Sequence, residues 1–325
     1  MKPLESAFQS ALAPWLRDFV LEKRAVGYRY DIEQRLLQRI DRLIIEHGHH
    51  EATLPRTVLD AWMAKTAHER STTHVARISV VRQFARFLQR QGVVVEMPPI
   101  PARSRLCTGF RARIFSPSEI TQLFVALDKI TRHVLAPHRN RAMPGLFRVL
   151  YGCGLRLGEA LHLRVRDVDL IAGVLTIHQG KFRKDRLVPM SPSLLAYLRR
   201  YHADMGERAA DAVFFPAPHG RCYSHHAAYM TFRWALRAAK IPHGGRGHGP
   251  RIHDIRHTFA VRRLEAWYRA GVDVGTKLPV LSTYLGHESI AGTQRYLQLT
   301  ASLLPELSSA LEQQYGALIP RGDRA

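Results

Sequence analysis

Apolar residues recur at three- and four-residue intervals through the first 96 positions, which predicts a run of helices each with one buried stripe. Phe8, Leu12, Trp15, Leu16, Phe19 and Val20 fall on one face, as do Leu36, Leu37, Ile40, Leu43 and Ile44 before Gly48. A third helix is predicted over Leu54 to Met63 and a fourth from Thr72 to Gln91, closed by Gly92. The fourth turns Ile78, Val81, Phe84, Phe87 and Leu88 inward and Arg77, Arg82, Arg86 and Arg90 to other faces. Those arginines read either as a solvated face or as contacts to a polyanion backbone.

Between residues 97 and 114 the periodicity stops. Pro98, Pro99 and Pro101 precede Arg103, Arg105, Arg111 and Arg113, a composition that predicts a stiffened, arginine-rich linker. Ser116-Pro117-Ser118-Glu119 then combines an N-cap, a proline at the first helical position and a glutamate at the third. A second domain is therefore placed at 115–325. In it, Arg139 to Tyr151 reads as a buried helix leading into a glycine-rich turn. Val174 to Ile177 and Arg186 to Pro189 read as two strands joined by a turn over Gly180 to Asp185. Further helices are predicted at Ser193–Arg200, Ala227–Ala239, His253–Trp267, Pro279–Leu285 and Thr293–Leu297, followed by an amphipathic stretch from Ala301 to Leu318. The expected fold is mainly α with a small antiparallel sheet.

Composition narrows the partner. With 46% apolar and 23% charged residues in 325, the chain resembles an ordinary folded protein, but 48 Lys+Arg against 27 Asp+Glu leave a formal charge of +21. Such an excess suits a polyanion, because each phosphate neutralised releases condensed counterions. No run reaches the roughly 20 apolar residues that cross a bilayer, and the first residues lack a signal-peptide stretch, so a cytoplasmic protein with no membrane partner is expected. Cys107, Cys153 and Cys222 are too few and too irregularly spaced for a disulfide framework or a cysteine zinc site.

Six side chains in the second domain can handle a phosphodiester: Arg156, Lys181, His253, Arg256, His287 and Tyr296. Two guanidiniums hold phosphoryl oxygens by charge-assisted hydrogen bonds, a tyrosine hydroxyl can attack, and an ammonium and imidazoles can move protons. Such a set needs neither metal nor other cofactor. Glu159, one turn after Arg156, is placed to hold that guanidinium. A histidine pair can also ligate zinc, but no cysteine or carboxylate completes a tetrahedral set at recognisable spacing. His257 reads as a packing or capping residue.

The surrounding words are Gly152-Cys153-Gly154-Leu155-Arg156-Leu157-Gly158-Glu159, Gly180-Lys181, His253-Asp254-Ile255-Arg256-His257, Leu285-Gly286-His287 and Arg295-Tyr296. In this order they resemble the tyrosine recombinases of the phage-integrase family, from Phe115 to Tyr296 and more loosely before it. The resemblance implies a helical core-binding domain at 1–96 that binds DNA and an α/β catalytic domain at 115–325, closing as a clamp on the duplex. It implies that Arg156 and Arg256 grip the non-bridging oxygens of the scissile phosphate and that Tyr296, nine residues after His287, is the nucleophile rather than Tyr151 or Tyr284. His253 would take the tyrosine proton or bond the phosphate, His287 would add a donor, and Lys181, with Lys184 as the alternative, would protonate the departing 5′ oxygen. A 3′-phosphotyrosyl link and a four-way junction would follow, on DNA carrying two to four protomers. The C-terminal helix would dock on a neighbour, and accessory recombinase subunits are possible partners. Arg77, Arg82, Arg86, Arg103, Arg105, Arg111, Arg113, Arg183 and Lys184 are the candidate DNA contacts. The 31 positions from Arg256 to His287 exceed those of compact members and point to a transposon-borne branch.

Three other readings share part of this set. A type IB topoisomerase uses the same residues without strand exchange, an architectural DNA-binding protein keeps the fold without cutting, and 18 histidines raise a metal-dependent nuclease.

Overall fold

The computed structural model describes residues 7–28, 30–69, 71–99, 112–178, 185–245, 249–287, 289–294 and 296–297. The chain divides into two compact units, Met1–Arg111 and Ala112–Ala325.

The first unit packs four helices: α1 (Ala13–Ala25), α2 (Asp31–Glu46), α3 (Arg56–Met63) and α4 (Ser71–Arg90). Its centre is Phe19, fully buried, with the rings of Tyr30, Phe84 and Phe87 at 5.7, 5.5 and 5.3 Å. Each such ring removed from water contributes about 1.5–3 kcal/mol. The helix expected from Phe8 begins only at Ala13, with Pro14 in the first turn, the position that best suits a residue without an N–H. Phe8 and Leu12 are still buried. The segment before the helix is held instead by Asp41, whose carboxylate accepts from the Gln9 and Ser10 backbone N–H groups.

Arg77 corrects the reading of α4. It is 4% exposed, pairs with Glu69 through Nε and Nη2 at 2.9 and 2.8 Å, donates to the carbonyls of Trp62 and Ala64, and lies over the Trp62 ring. Four of its five N–H donors are taken by its own fold and the side chain is buried, so it presents no guanidinium face to a DNA phosphate. Arg82 is half-buried and Arg86 exposed, four residues apart on α4, while Arg90 pairs with Glu22.

The second unit opens with α5 (Pro117–Asp128), where Ser116 and Glu119 form the capping box that their spacing predicts. There follow α6 (Arg139–Gly152), the short α7 (Leu157–His162), β1 (Val168–Asp169), β2 (Val174–Ile177) and β3 (Arg186–Pro189). Next come α8 (Pro192–Met205), α9 (His225–Ala238), α10 (Ile252–Arg269), α11 (Val274–Leu285) and α12 (Ala291–Gln294). The strands form one antiparallel sheet in the order β1-β2-β3, with Val168 opposite Leu175 and Ile177 opposite Arg186. Only β2 and β3 carry a sequence signal; β1 is two residues long and is set by its partner. The main core includes Phe115, Phe147, Leu175, Val188 and Phe232, and a second cluster joins α10 to α11 through Phe259, Leu264, Leu281, Leu285 and Tyr296.

The long interval after Arg256 is mostly helix. α10 runs to Arg269, and α11 starts five residues before Pro279, because Asp273 caps it by accepting from the Gly275 N–H at 2.8 Å. Proline's preference for helix starts had placed that start too late. Likewise α12 covers Ala291–Gln294 rather than Thr293–Leu297.

Candidate active site

The site is built around the C-terminal end of α11. A helix leaves its last carbonyls without intrahelical partners, and here each has one. Gly286 takes the left-handed conformation (φ 66°), so its N–H and that of His287 return to Thr283 and Ser282, both at 2.9 Å. The next three carbonyls each accept from an arginine. Tyr284 accepts from Arg186 Nε at 3.0 Å, Leu285 from Arg256 Nη2 at 2.7 Å, and Gly286 from Arg156 Nη2 at 2.7 Å. Three cations thus sit at the negative end of one helix, and His287 follows directly.

Arg156 stands at the N-cap of α7, where Glu159 bonds both its backbone N–H (2.9 Å) and its Nη1 (2.7 Å). This is the partnership that the i,i+3 spacing predicts. Arg256, on the inner face of α10, is 1% exposed and also donates to the Gly154 carbonyl at 2.7 Å. Gly154 is a required glycine: its φ is +59°, and a Cβ there would lie 2.5 Å from the Phe259 ring. Burial, then the charge of Arg156, lowers Arg256 to about 10, still a cation at neutral pH.

Arg186 was read only as the first residue of a strand. It holds Glu159 in a two-pronged pair, Nη1 to Oε1 at 3.1 Å and Nη2 to Oε2 at 2.7 Å, with both side chains 8% exposed. Burial alone would raise the Glu159 carboxyl, but the hydrogen bonds and charge of Arg186, with those of Arg156, hold it at about 2. A signal was available in the strand alternation, which puts Arg186 on the same side as fully buried Val188 while Leu187 faces out.

The Tyr296 ring, 3% exposed, lies between two imidazoles, with His257 at 5.4 Å and His287 at 5.9 Å between centroids. Its oxygen is near enough to Arg256 to act on that guanidinium electrostatically. His253 meets His257 edge-on at 4.6 Å. His287 Nδ1 lies 2.8 Å from the hydroxyl of Thr293, a fully buried residue that sequence reasoning missed. Desolvation, followed by the charges of Arg256 and Arg156, lowers His287 to about 4. His253 is lowered to about 4 by desolvation of its inner side and then by Arg256, Arg251 and Arg156, although its outer surface is exposed. Of the other tyrosines, Tyr284 donates to the Pro189 carbonyl at 3.0 Å and Tyr151 packs on Phe124.

Arg156, Arg256, His253, His287 and Tyr296 therefore converge, with Glu159 behind Arg156. Arg113 is tied to Glu119 and lies over the Phe115 ring. Lys181, Arg183, Lys184, Arg103, Arg105, Arg111 and the helix expected over 301–318 lie outside the described residues. Among the described residues no group of three His, Cys, Asp or Glu is placed as metal ligands would be, and no helix is long and apolar enough to cross a membrane.

Residues 113–302 match the model of the Phage integrase family. The chain is 32% identical over 318 residues to the Sinorhizobium fredii protein y4rB, which carries the name integrase/recombinase, covering 95% of this chain and 98% of that one. It is 29% identical over 320 residues to the tyrosine recombinase XerD of Pseudomonas putida, covering 94% and 95%. Its fold matches XerH site-specific recombinase bound to palindromic difH substrate (TM-score 0.62, 15% identity, 95% and 99% covered). It also matches the Tn1549 transposon integrase in complex with transposon right end DNA (TM-score 0.62, 14% identity, 87% and 94% covered).

Proposed function

Because this chain belongs to the phage-integrase family of tyrosine recombinases and is a site-specific DNA recombinase, we propose that it cuts and rejoins duplex DNA through a covalent bond to Tyr296, without metal or ATP. The observation that carries this reading is the convergence of Arg156, Arg256, His287 and Tyr296 on one turn at the end of α11.

Arg156 and Arg256 take the non-bridging oxygens of the scissile phosphate and stabilise the charge that builds there as the phosphorus becomes five-coordinate. Tyr296 Oη attacks phosphorus, forming the 3′-phosphotyrosyl bond as the bond to the 5′ oxygen breaks. A free tyrosine titrates near about 10, so its proton must leave during attack. His253, held neutral by its depressed pKa, accepts it. His287 donates from Nε2 to a phosphate oxygen, which requires Thr293 to donate its hydroxyl hydrogen to Nδ1 and so select that tautomer. The 5′ oxygen receives its proton from Lys181. The retained ester lets a 5′ hydroxyl of a second duplex attack in turn, regenerating Tyr296 and joining the strands.

The first unit, the linker arginines, Arg82 and Arg86 hold the DNA backbone, and the protein works in the cytoplasm as two to four protomers on DNA. The 301–318 helix joins neighbours, accessory recombinase subunits take part, and the likeness to a transposon integrase fits a mobile-element branch. Wild type and Tyr296→Phe are incubated with a pool of nicked duplexes in EDTA, and SDS-resistant adducts are scored. An adduct from wild type alone, mapped to Tyr296 and leaving a 5′ hydroxyl, is expected. An adduct from both proteins, or one only with added metal, refutes the assignment.

A further inference from the structure

We propose that Arg186 is a positioning residue of the recombination reaction, orienting Arg156 through Glu159 and His287 through the end of α11. This rests on the recombinase reading above. Arg186 never faces the phosphate in this scheme; its three nitrogens are committed to Glu159 and to the Tyr284 carbonyl. Both Glu159 oxygens are in turn committed to Arg156, one to its backbone and one to Nη1. A carboxylate clamped in a two-pronged pair has one orientation, so the guanidinium beyond it has one too.

A separate observation concerns Gly286. A Cβ built there would lie 2.9 Å from Arg186 Nη1 and 3.1 Å from its Cζ. Arg186 thus packs against the residue that precedes His287, and the glycine of Leu285-Gly286-His287 is needed for that approach as well as for its φ of 66°. Arg186 also stands at the first pair of β3, opposite Ile177. It therefore ties the start of β3 to both α7 and α11.

The test uses the full chain and the nicked-duplex pool, with single-turnover adduct formation measured at saturating DNA, at a temperature where every variant is folded by circular dichroism. Arg186→Gln should slow the step about 30-fold, the scale of a lost charge-assisted pair, with duplex affinity unchanged. In a Glu159→Gln background the same change should cost less than about 3-fold, because coupled residues are not additive. Arg186→Lys, which keeps the charge but not the fork, should fall between. Equal losses in both backgrounds, or a loss only of folded protein, would overturn the proposal. If wild type forms no adduct, the recombinase reading fails instead, and hydrogen exchange decides the positioning claim. The Gly286 and His287 amides should exchange about ten-fold faster in Arg186→Gln, and unchanged exchange would overturn it.

Discussion

Titrating His287, with His287→Asn as the control, tests the electrostatics of the site directly. His287 sits beside Arg256 and Arg156, and desolvation with those two charges lowers it from the ordinary 6.5 to about 4. The gap between those two values corresponds to at most about 3.5 kcal/mol at about 1.4 kcal/mol per pH unit, and because the ring is partly exposed, solvent screening reduces this to on the order of 1–2 kcal/mol. The sign follows from proton uptake. Above pH 6.5 the ring is neutral in both folded and unfolded chains and contributes nothing. Between 6.5 and about 4 the unfolded chain binds a proton that the folded one refuses, so stability falls as pH falls, and the loss is complete near pH 4. Histidine Cε1–Hε1 resonances, assigned with His287→Asn, read the value directly. Urea unfolding at pH 7 and pH 4.5 reads its consequence, and the asparagine variant should lose most of the His287 share of the slope. Binding a nicked duplex should move the resonance upward, since a phosphate between the two guanidiniums cancels the charge that depresses it. A His287 ring titrating near 6.5 in the free protein, or an unchanged pH slope in the variant, would refute the electrostatic account.

Arg77→Ala should lower the stability of the first unit by about 3–5 kcal/mol, because Glu69 is left buried and unpaired, without changing the salt dependence of DNA affinity. Replacing Arg82 and Arg86 together should instead reduce the slope of log K against log salt by about 2 at little cost in stability, measured by fluorescence anisotropy. Gly286→Ala should cost about 1–2 kcal/mol for its left-handed backbone and slow adduct formation by displacing Arg186, seen as a lower melting temperature and a slower single turnover. Thr293→Val should slow the same step by about 5- to 100-fold, the range of one lost hydrogen bond, while Thr293→Ser restores it.

Helices and the β2–β3 pair were legible because burial imposes a period on each. Ser116 and Glu119 announced the start of α5 to the residue, and Arg156, Glu159, Arg256, His287 and Tyr296, far apart in sequence, stand close together in space. The failures have a common cause. Arg77 and Arg186 are charged residues turned inward, and a scale that equates charge with exposure places them on the surface. What holds them there is a partner outside the local repeat, Glu69 eight residues away and Glu159 twenty-seven away, and although strand alternation turns Arg186 toward the side of Val188, no local pattern names either partner. Thr293 failed for the same reason: its value lies in one hydrogen bond to His287 across a tight turn. Pro279 misled because proline is allowed within a helix wherever the lost N–H is tolerated.

The carbonyls at the end of α11 explain how the site can be rigid before DNA arrives and still be free to bind it. A guanidinium carries five N–H donors. Among the described residues, Arg156 uses one to Glu159 and one to Gly286, and Arg256 uses one to Gly154 and one to Leu285, with its Nε unpaired. Each therefore keeps donors for a phosphate without breaking the bonds that aim it. Three arginines against the single Glu159 carboxylate leave two positive charges while the histidines are neutral. On the proposed reading, a lone phosphodiester anion entering the site would meet an excess of charge already oriented, and as more charge gathered on its oxygens in the transition state the same groups would hold it more tightly. Preorganisation of this kind lowers a barrier because no dipole has to turn at the moment of attack. The carbonyls are what prevent the arginines from collapsing onto Glu159 or dispersing into water in the meantime.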